Sequence, residues 1–353
     1  MVVEEDDVKR VFAMVNKERE AEVPEKTDEG GADSERTYVV SSYSSGYIRS
    51  VNIISSETFA TIENIELCKS HDDRPISSIK GCVDGVLLAH TTTLGFYNNE
   101  VNVIFLWNPT LRKVVDIPLY GSLRKKCCDA EFGFGFDSVS NIYKVVALYL
   151  EKNYLKIKVY NLGTRSWTSN KVKRSSIDNV KYTSNNTSRG VNFEGCVYWL
   201  AKAETTENKK THYLCFNLSS EALTCSKLPD VKRDAPIKDV LRELSVLYDS
   251  LALVDTSVHT SYRDVIRVWI RRKNNTTNDV LFSWVELYNL DFHGRSFLYL
   301  TNNGKLYLQW PVFGVTTTLV YDLKTGKEKV CSKAQGDGIN FMDSNLESLA
   351  LLR

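Results

Sequence analysis

The side chains able to do chemistry are few and scattered. Five histidines, His71, His90, His212, His259 and His293, fall in segments that read as loops, with no two at metal-ligand spacing. The eight cysteines include no C-x-x-C pair. Cys82, Cys196, Cys215 and Cys225 sit inside apolar strand patterns, where a thiol packs as a small hydrophobe, and Cys68 and Cys331 lie near strand ends. Cys127 and Cys128 differ, because they follow Arg124-Lys125-Lys126, whose charge favours a thiolate. The nucleophile elbow G-x-S-x-G, the phosphate loop G-x-x-x-x-G-K and the zinc motif H-E-x-x-H do not occur. Gly133-Phe134-Gly135 has no third glycine and opens a strand, not a helix. A carboxylate pair for glycoside chemistry stays open, since such pairs assemble from distant loops. These residues point to no catalytic group, no metal and no cofactor.

Recognition chemistry is better represented. Phe96, Tyr97, Tyr182 and Tyr262 are aromatic anchors in segments that read as long loops, and Arg124, Lys125, Lys126 and Arg263 add charge beside them. Aromatics and arginine are the residue types that dominate binding energy at protein interfaces. The question is what scaffold would bring those loops to one face.

The scaffold is a repeat. Gly190-Val191-Asn192-Phe193, Cys196 to Ala201, Tyr213 to Leu218 and Glu221 to Pro229 read as four short strands with tight polar turns, a unit of kelch-like length. The apolar residue before each polar turn recurs as Ile54, Trp107, Tyr160, Phe216, Trp269 and Tyr321, at intervals of 53, 53, 56, 53 and 52. Trp269 fits least well, because Arg271-Arg272-Lys273-Asn274-Asn275 reads as a long turn. The expected blades run from Gly81 to Leu119, Phe132 to Thr168, Gly190 to Pro229, Leu244 to Leu290 and Phe297 to Val330. Recurrent glycines at the starts of inner strands suit tight turns and crowding near an axis. One short helix, Ile237 to Glu243, is expected in a connection.

The ends complete the count. Tyr38 to Leu67 supplies only the outer half of a unit, whereas Gly338-Ile339-Asn340-Phe341 and Leu349 to Leu352 match an inner half. Pairing them closes the round and removes two exposed strand edges. The expectation is therefore an all-β, six-bladed β-propeller of four-stranded antiparallel blades over residues 38–353, closed by its N- and C-terminal strands. In such blades the last hairpins are uniformly short, as at Asn108 to Lys113, Asn161 to Arg165, Asn217 to Glu221 and Asp322 to Lys327. The opposite face receives the longer segments His90 to Glu100, Tyr120 to Glu131, Ser169 to Arg189, Lys202 to His212, Val231 to Glu243 and Asp255 to Asp264.

Residues 1–36 form a separate acidic tail with twelve acidic residues against six basic ones and no Leu, Trp or Tyr. Val8, Phe12 and Val15 have helical spacing within Glu4 to Glu22. The chain of 353 residues is 42% hydrophobic and 25% charged, with a net charge of +1. That balance implies no polyanion partner, so nucleic acid is not expected. No apolar run approaches the roughly 20 residues a membrane helix needs, and Met1 precedes acidic residues, so a cytoplasmic or nuclear location is expected. The N-x-S/T sequons at Asn185, Asn217 and Asn274 then read as chance matches.

Several segments resemble one family. Leu106-Trp107-Asn108-Pro109-Thr110-Leu111-Arg112-Lys113 with Ile117-Pro118 is similar to the "LWNPSTRK…LP" signature of plant F-box proteins that carry an F-box-associated propeller. Phe132 to Asp137 with Asn141 to Val146 resembles the family's "GFGYD…NDYKVV". Val159 to Trp167 resembles its "VYSL…SW", and Gly190 to Ala201 its "GV.LNGALHWLA". The resemblance covers residues 75–353 in order. It implies the substrate-recognition subunit of an SCF-type ubiquitin ligase, without catalysis of its own, in which an F-box grips a Skp1-like adaptor and the propeller holds a target protein. Residues 1–66 depart from that pattern, since they hold no leucine and no tryptophan, whereas an F-box is leucine-rich. Two alternatives stand beside the first reading. One is a decoy or truncated paralogue with no ligase role, and the other a kelch-like propeller enzyme.

Overall fold

The computed structural model describes residues 36–41, 50–55, 61–66, 76–94, 100–109, 111–120, 130–151, 154–170, 180–181, 189–203, 210–230, 237–259, 263–276, 279–312, 315–335 and 339–345. The expected tail helix and Leu349 to Leu352 lie outside them. Every regular element among these residues is a β-strand.

The first three strands, β1 (Arg36–Ser41), β2 (Ser50–Ser55) and β3 (Thr61–Glu66), pair in sequence. A second sheet holds β4 (Ser78–Val83), β5 (Val86–Leu94), β6 (Glu100–Asn108) and β7 (Lys113–Ile117). The third holds β8 (Glu131–Asp137), β9 (Ile142–Glu151), β10 (Tyr154–Asn161) and β11 (Ser166–Asn170). The next contains β12 (Val180–Lys181), β13 (Val191–Phe193), β14 (Cys196–Ala203), β15 (Lys210–Asn217) and β16 (Leu223–Lys227), with β12 and β13 both on one edge of β14. Then come β17 (Ile237–Leu247), β18 (Ser250–His259), β19 (Arg263–Thr276) and β20 (Asp279–His293). The last run is β21 (Ser296–Leu300), β22 (Lys305–Val312), β23 (Val315–Asp322) and β24 (Glu328–Gln335). The final strand, β25 (Ile339–Asn345), returns to β1. All pairings are antiparallel; five sheets have four strands and the β12–β16 sheet has five.

The stacking of these sheets follows from the sequence of β9. Val145, Val146, Ala147 and Leu148 are all fully buried, although neighbouring strand residues point to opposite faces. Val145 and Ala147 pack with Leu88, Leu106 and Phe132. Val146 and Leu148 pack with Val197, Trp199 and Phe216 of the following sheet. A sheet covered on both faces reads as a continuous apolar run, not an alternating one. The same division recurs in β14 and β18: Trp199 faces back while Tyr198 and Leu200 face forward onto Leu251 and Leu253, and Ala252 and Val254 face onward to Leu306 and Leu308. Face-to-face stacking of antiparallel sheets, one after another along the chain, is the architecture of a β-propeller.

Glycine permits the closest approaches. A Cβ on Gly133 would lie 2.4 Å from Trp199 Cζ2 and from Val197 Cγ1, and one on Gly190 would lie 2.9 Å from Trp199 Nε1. At the first-to-second strand turns the requirement is conformational: Asp84-Gly85, Glu194-Gly195 and Tyr248-Asp249 all have positive φ at both central residues. Tyr248-Asp249 meets that requirement without glycine. The adjoining sheet braces it, with Asn302 O accepting from Tyr248 N at 2.8 Å and Asn302 Oδ1 from Asp249 N at 2.8 Å.

The head-to-tail pairing is present, with a different division of strands. Residues 36–66 supply three strands and residues 339–345 one, so the N-terminal segment gives three quarters of the shared sheet, not half. The expected helix at Ile237 to Glu243 is instead the first part of β17. Arg242 is buried in that strand and paired with Asp255, its cross-strand partner. The basic run after Trp269 is not a long turn either, since β19 continues to Thr276 and pairs with β20 throughout. The blade expected from Leu244 to Leu290 therefore runs from Ile237 to His293. Four histidines, His90, His212, His259 and His293, belong to strands instead of loops, and His71 lies outside the described residues.

Candidate functional site

Strand direction assigns each connection to a face. The turns joining first to second and third to fourth strands are short wherever they are described: 84–85, 138–141, 162–165, 194–195, 218–222, 248–249, 301–304 and 323–327. The second-to-third and sheet-to-sheet connections open on the other face.

The short-turn face is tied together by its own polar groups. Tyr143 donates its hydroxyl hydrogen to Asp84 Oδ2 at 2.8 Å, joining two sheets. Lys144 Nζ reaches the next junction, 3.1 Å from Asp137 Oδ2 and donating to Leu218 O at 2.7 Å and Glu221 Oε1 at 3.2 Å. Ser219 Oγ donates to Asp137 as well. Burial alone would raise the Asp137 pKa; hydrogen bonds from Ser140, Ser219, Lys144 and the Val139 N–H outweigh it and hold the carboxyl well below its ordinary range. Asn302 Nδ2 donates to Asp249 Oδ1 at 2.7 Å across another junction. Polar groups spent on such junctions hold sheets together.

The opposite face carries the longer connections together with short ones such as 294–295, and the expected long loop Asp255 to Asp264 is paired strand except for 260–262. Of the eight residues picked out by type, Phe96, Tyr97, Arg124, Lys125, Lys126, Tyr182 and Tyr262 lie outside the described residues. Arg263 opens β19 opposite His293, at the end of the strand nearest that face. Two residues absent from that selection stand close by. Trp310, near the end of β22, is 41% exposed, and the Arg295 guanidinium lies 5.6 Å from its ring centroid. Trp310 follows Leu308 in a strand whose alternation signals core, which hides its exposure in the sequence.

A buried ion pair anchors one of these connections. Arg242 Nε donates to Asp255 Oδ2 at 2.7 Å and its Nη2 donates to Pro229 O at 3.3 Å, while Ser257 Oγ donates to Asp255 Oδ1 at 3.3 Å. Asp255 is wholly buried. The pair ties the start of the 228–236 connection to β17 and β18. Among the described residues no group of three or more His, Cys, Asp or Glu is placed to hold a metal ion.

The sequence profile of the F-box associated beta propeller domain matches residues 36–331. The chain belongs to that family. Two relatives in Arabidopsis thaliana share 28% identity with this F-box associated propeller. One is described as an F-box protein, aligned over 170 residues that make 47% of this chain and 39% of the relative. The other is an F-box/kelch-repeat protein, aligned over 108 residues, 29% of this chain and 28% of the relative. The matches thus span well under half of either relative. Among solved structures, TolB from Acinetobacter baumannii superposes with a TM-score of 0.46 at 10% identity, covering 89% of this chain and 67% of that one. YjhT gives 0.46 at 11% identity, covering 88% and 98%.

The family's signature residues are scaffold in this propeller. Trp107 is fully buried against Ile76, Ile79 and Phe105, and Asn108 Oδ1 accepts from Leu111 N at 3.0 Å to shape the turn. Phe132 and Phe134 are buried in a core between sheets. Trp199 packs against Val197 and donates its indole N–H to Phe132 O at 3.3 Å. In the F-box associated propeller these signature residues are used for packing.

Proposed function

We propose that this chain is the target-holding module of an SCF-type ubiquitin ligase, a non-catalytic propeller that grips a protein across its long-connection face. In this reading the sheets form a six-bladed ring closed by β1 and β25, and the protein acts in the cytoplasm or nucleus. A Skp1-like adaptor would link the propeller to the ligase through an F-box. The observation that carries the reading is the family match across residues 36–331. The division of faces supports it, with the short turns occupied in junctions and aromatic and basic residues assigned to the longer connections.

Replacing residues 95–99, 121–129, 182–188 and 260–262 by Gly-Ser segments of equal length should abolish most proximity labelling of neighbouring proteins in native tissue. The melting temperature should stay near that of the parent. Labelling unchanged by all four replacements would contradict the proposed binding face. Co-purification of a Skp1-like adaptor with the propeller from native tissue supports the ligase module, and a target held with no adaptor beside it would contradict that module.

A further inference from the structure

The hairpin of β19 and β20 extends further than any other described on the short-turn face. In the other sheets the third strand stops within one residue of its last pairing with the second, at Ser55, Asn108, Asn161, Asn217 and Asp322. β19 last pairs with β18 at Ile270, opposite Ala252. It then continues with β20 alone for six pairs, from Arg271 opposite Trp284 to Thr276 opposite Asp279. A two-stranded ribbon is marginal in water by itself. This arm is pinned to the preceding sheet. Arg271 Nη2 donates to Tyr198 Oη at 3.0 Å, and its guanidinium lies 5.0 Å from the Tyr198 ring centroid and 4.2 Å from that of Phe282. Trp284 stands edge-on to Tyr213, with ring centroids 5.9 Å apart.

The arm carries charge that the propeller does not match. Lys144 and Lys305, elsewhere on this face, have carboxylate partners. Among the described residues no carboxylate pairs with Arg272 or Lys273. Lys273 is exposed directly across the ribbon from Phe282, which is 47% exposed. An exposed aromatic beside unmatched cations is a surface suited to an acidic peptide.

We propose that the arm is a docking surface for an acidic segment, and that residues 1–35 of the same chain occupy it. Charge selects that segment: it holds twelve acidic side chains against five basic ones, a balance of −7. Position agrees, because it joins the propeller at Arg36, whose cross-strand partner Asn345 ends β25. That end of β1 lies on the short-turn face, where the arm projects. Length suffices as well. Thirty-five residues extended at about 3.3 Å each reach roughly 100 Å, against a diameter of about 50 Å for a folded domain of this size. Exposed ion pairs are individually weak. A tethered segment nevertheless meets its site at an effective concentration on the order of millimolar, an advantage that a free acidic peptide lacks. Val8, Phe12 and Val15 stand among the acidic residues and supply apolar side chains for Phe282.

Zero-length carbodiimide coupling, which joins lysine amines to carboxylates, tests this on the native full chain. An equal mixture of isotopically light and heavy chains is coupled, digested and read by peptide mass spectrometry. Lys327 is the comparison, exposed in a turn on the same face, in the sheet between that of the arm and that of β1. Links from Lys273 to carboxylates of residues 1–35 should exceed those from Lys327 about fivefold or more, within single chains. They should disappear at about 1 M salt, where charges are screened beyond roughly 3 Å. Arg272→Glu leaves Lys273 in place as the reporter and should cut its links about fivefold. Equal yields at Lys273 and Lys327, links that join only differently labelled chains, or links unchanged by salt or by Arg272→Glu would overturn the proposal.

Discussion

Val39 of β1 and Met342 of β25 face each other across an antiparallel ladder, although one lies near the start of the chain and the other near its end. The ladder runs from Arg36 opposite Asn345 to Ser41 opposite Ile339, with one irregularity after Val40. Its entropic cost is that of closing nearly the whole chain into a loop, which grows only slowly with length. In return β1 and β25 each gain a partner on an edge that would otherwise stay open.

The junction at Lys144 should contribute far more to stability than its charge partners elsewhere. Its side chain and that of Asp137 are 7% and 2% exposed, so removing the ammonium leaves a carboxylate shut away from water. Lys144→Ala should cost about 3 kcal/mol in urea unfolding. The pair of Lys305 and Asp322 is more open to solvent, and Lys305→Ala should cost about 1 kcal/mol or less. Equal losses would mean that burial does not govern these pairs.

Acid should expose the same junction. The Asp137 pKa is lower in the folded protein than in the unfolded chain, so its contribution is complete above the unfolded value of about 3.9 and fades as pH falls below it. Asp137→Asn should therefore unfold at lower urea than the parent at pH 7. The gap should narrow between about pH 4 and pH 2. A gap that stays constant down to pH 2 would place the effect in packing and not in charge.

Two glycines should fail for different reasons. Gly133→Ala drives a methyl into Trp199 and Val197 and should cost about 1–3 kcal/mol, part of it recovered in the double variant with Val197→Ala. Gly195 has open space around its Cβ position but φ of +67°, so Gly195→Ala should cost about 1 kcal/mol and Gly195→Asn less. Thermal unfolding of the four variants checks both statements.

The repeat was legible because its signals are local. Trp107, Tyr160, Phe216 and Tyr321 each stand one residue before the end of a third strand, at Asn108, Asn161, Asn217 and Asp322, where a polar turn residue must begin the hairpin. Where the reading failed, a distant partner had changed what a charge means. Ile237 to Glu243 reads as a short helix until Asp255 is placed across from Arg242. Arg271 looks like loop until Tyr198 of another sheet lies beneath it. Recognition residues were chosen by type alone, and connections carry no periodicity by which to place them.

Closure of the round by β25 is tested most directly by deleting residues 336–353 and following thermal unfolding, with deletion of 346–353 as the control. The longer deletion removes the strand that pairs with β1 and the shorter one leaves it in place. The account predicts a melting temperature lowered by about 10 °C or more, or loss of a cooperative transition, for the longer deletion and little change for the shorter. Identical melting of the longer deletion and the parent would contradict it.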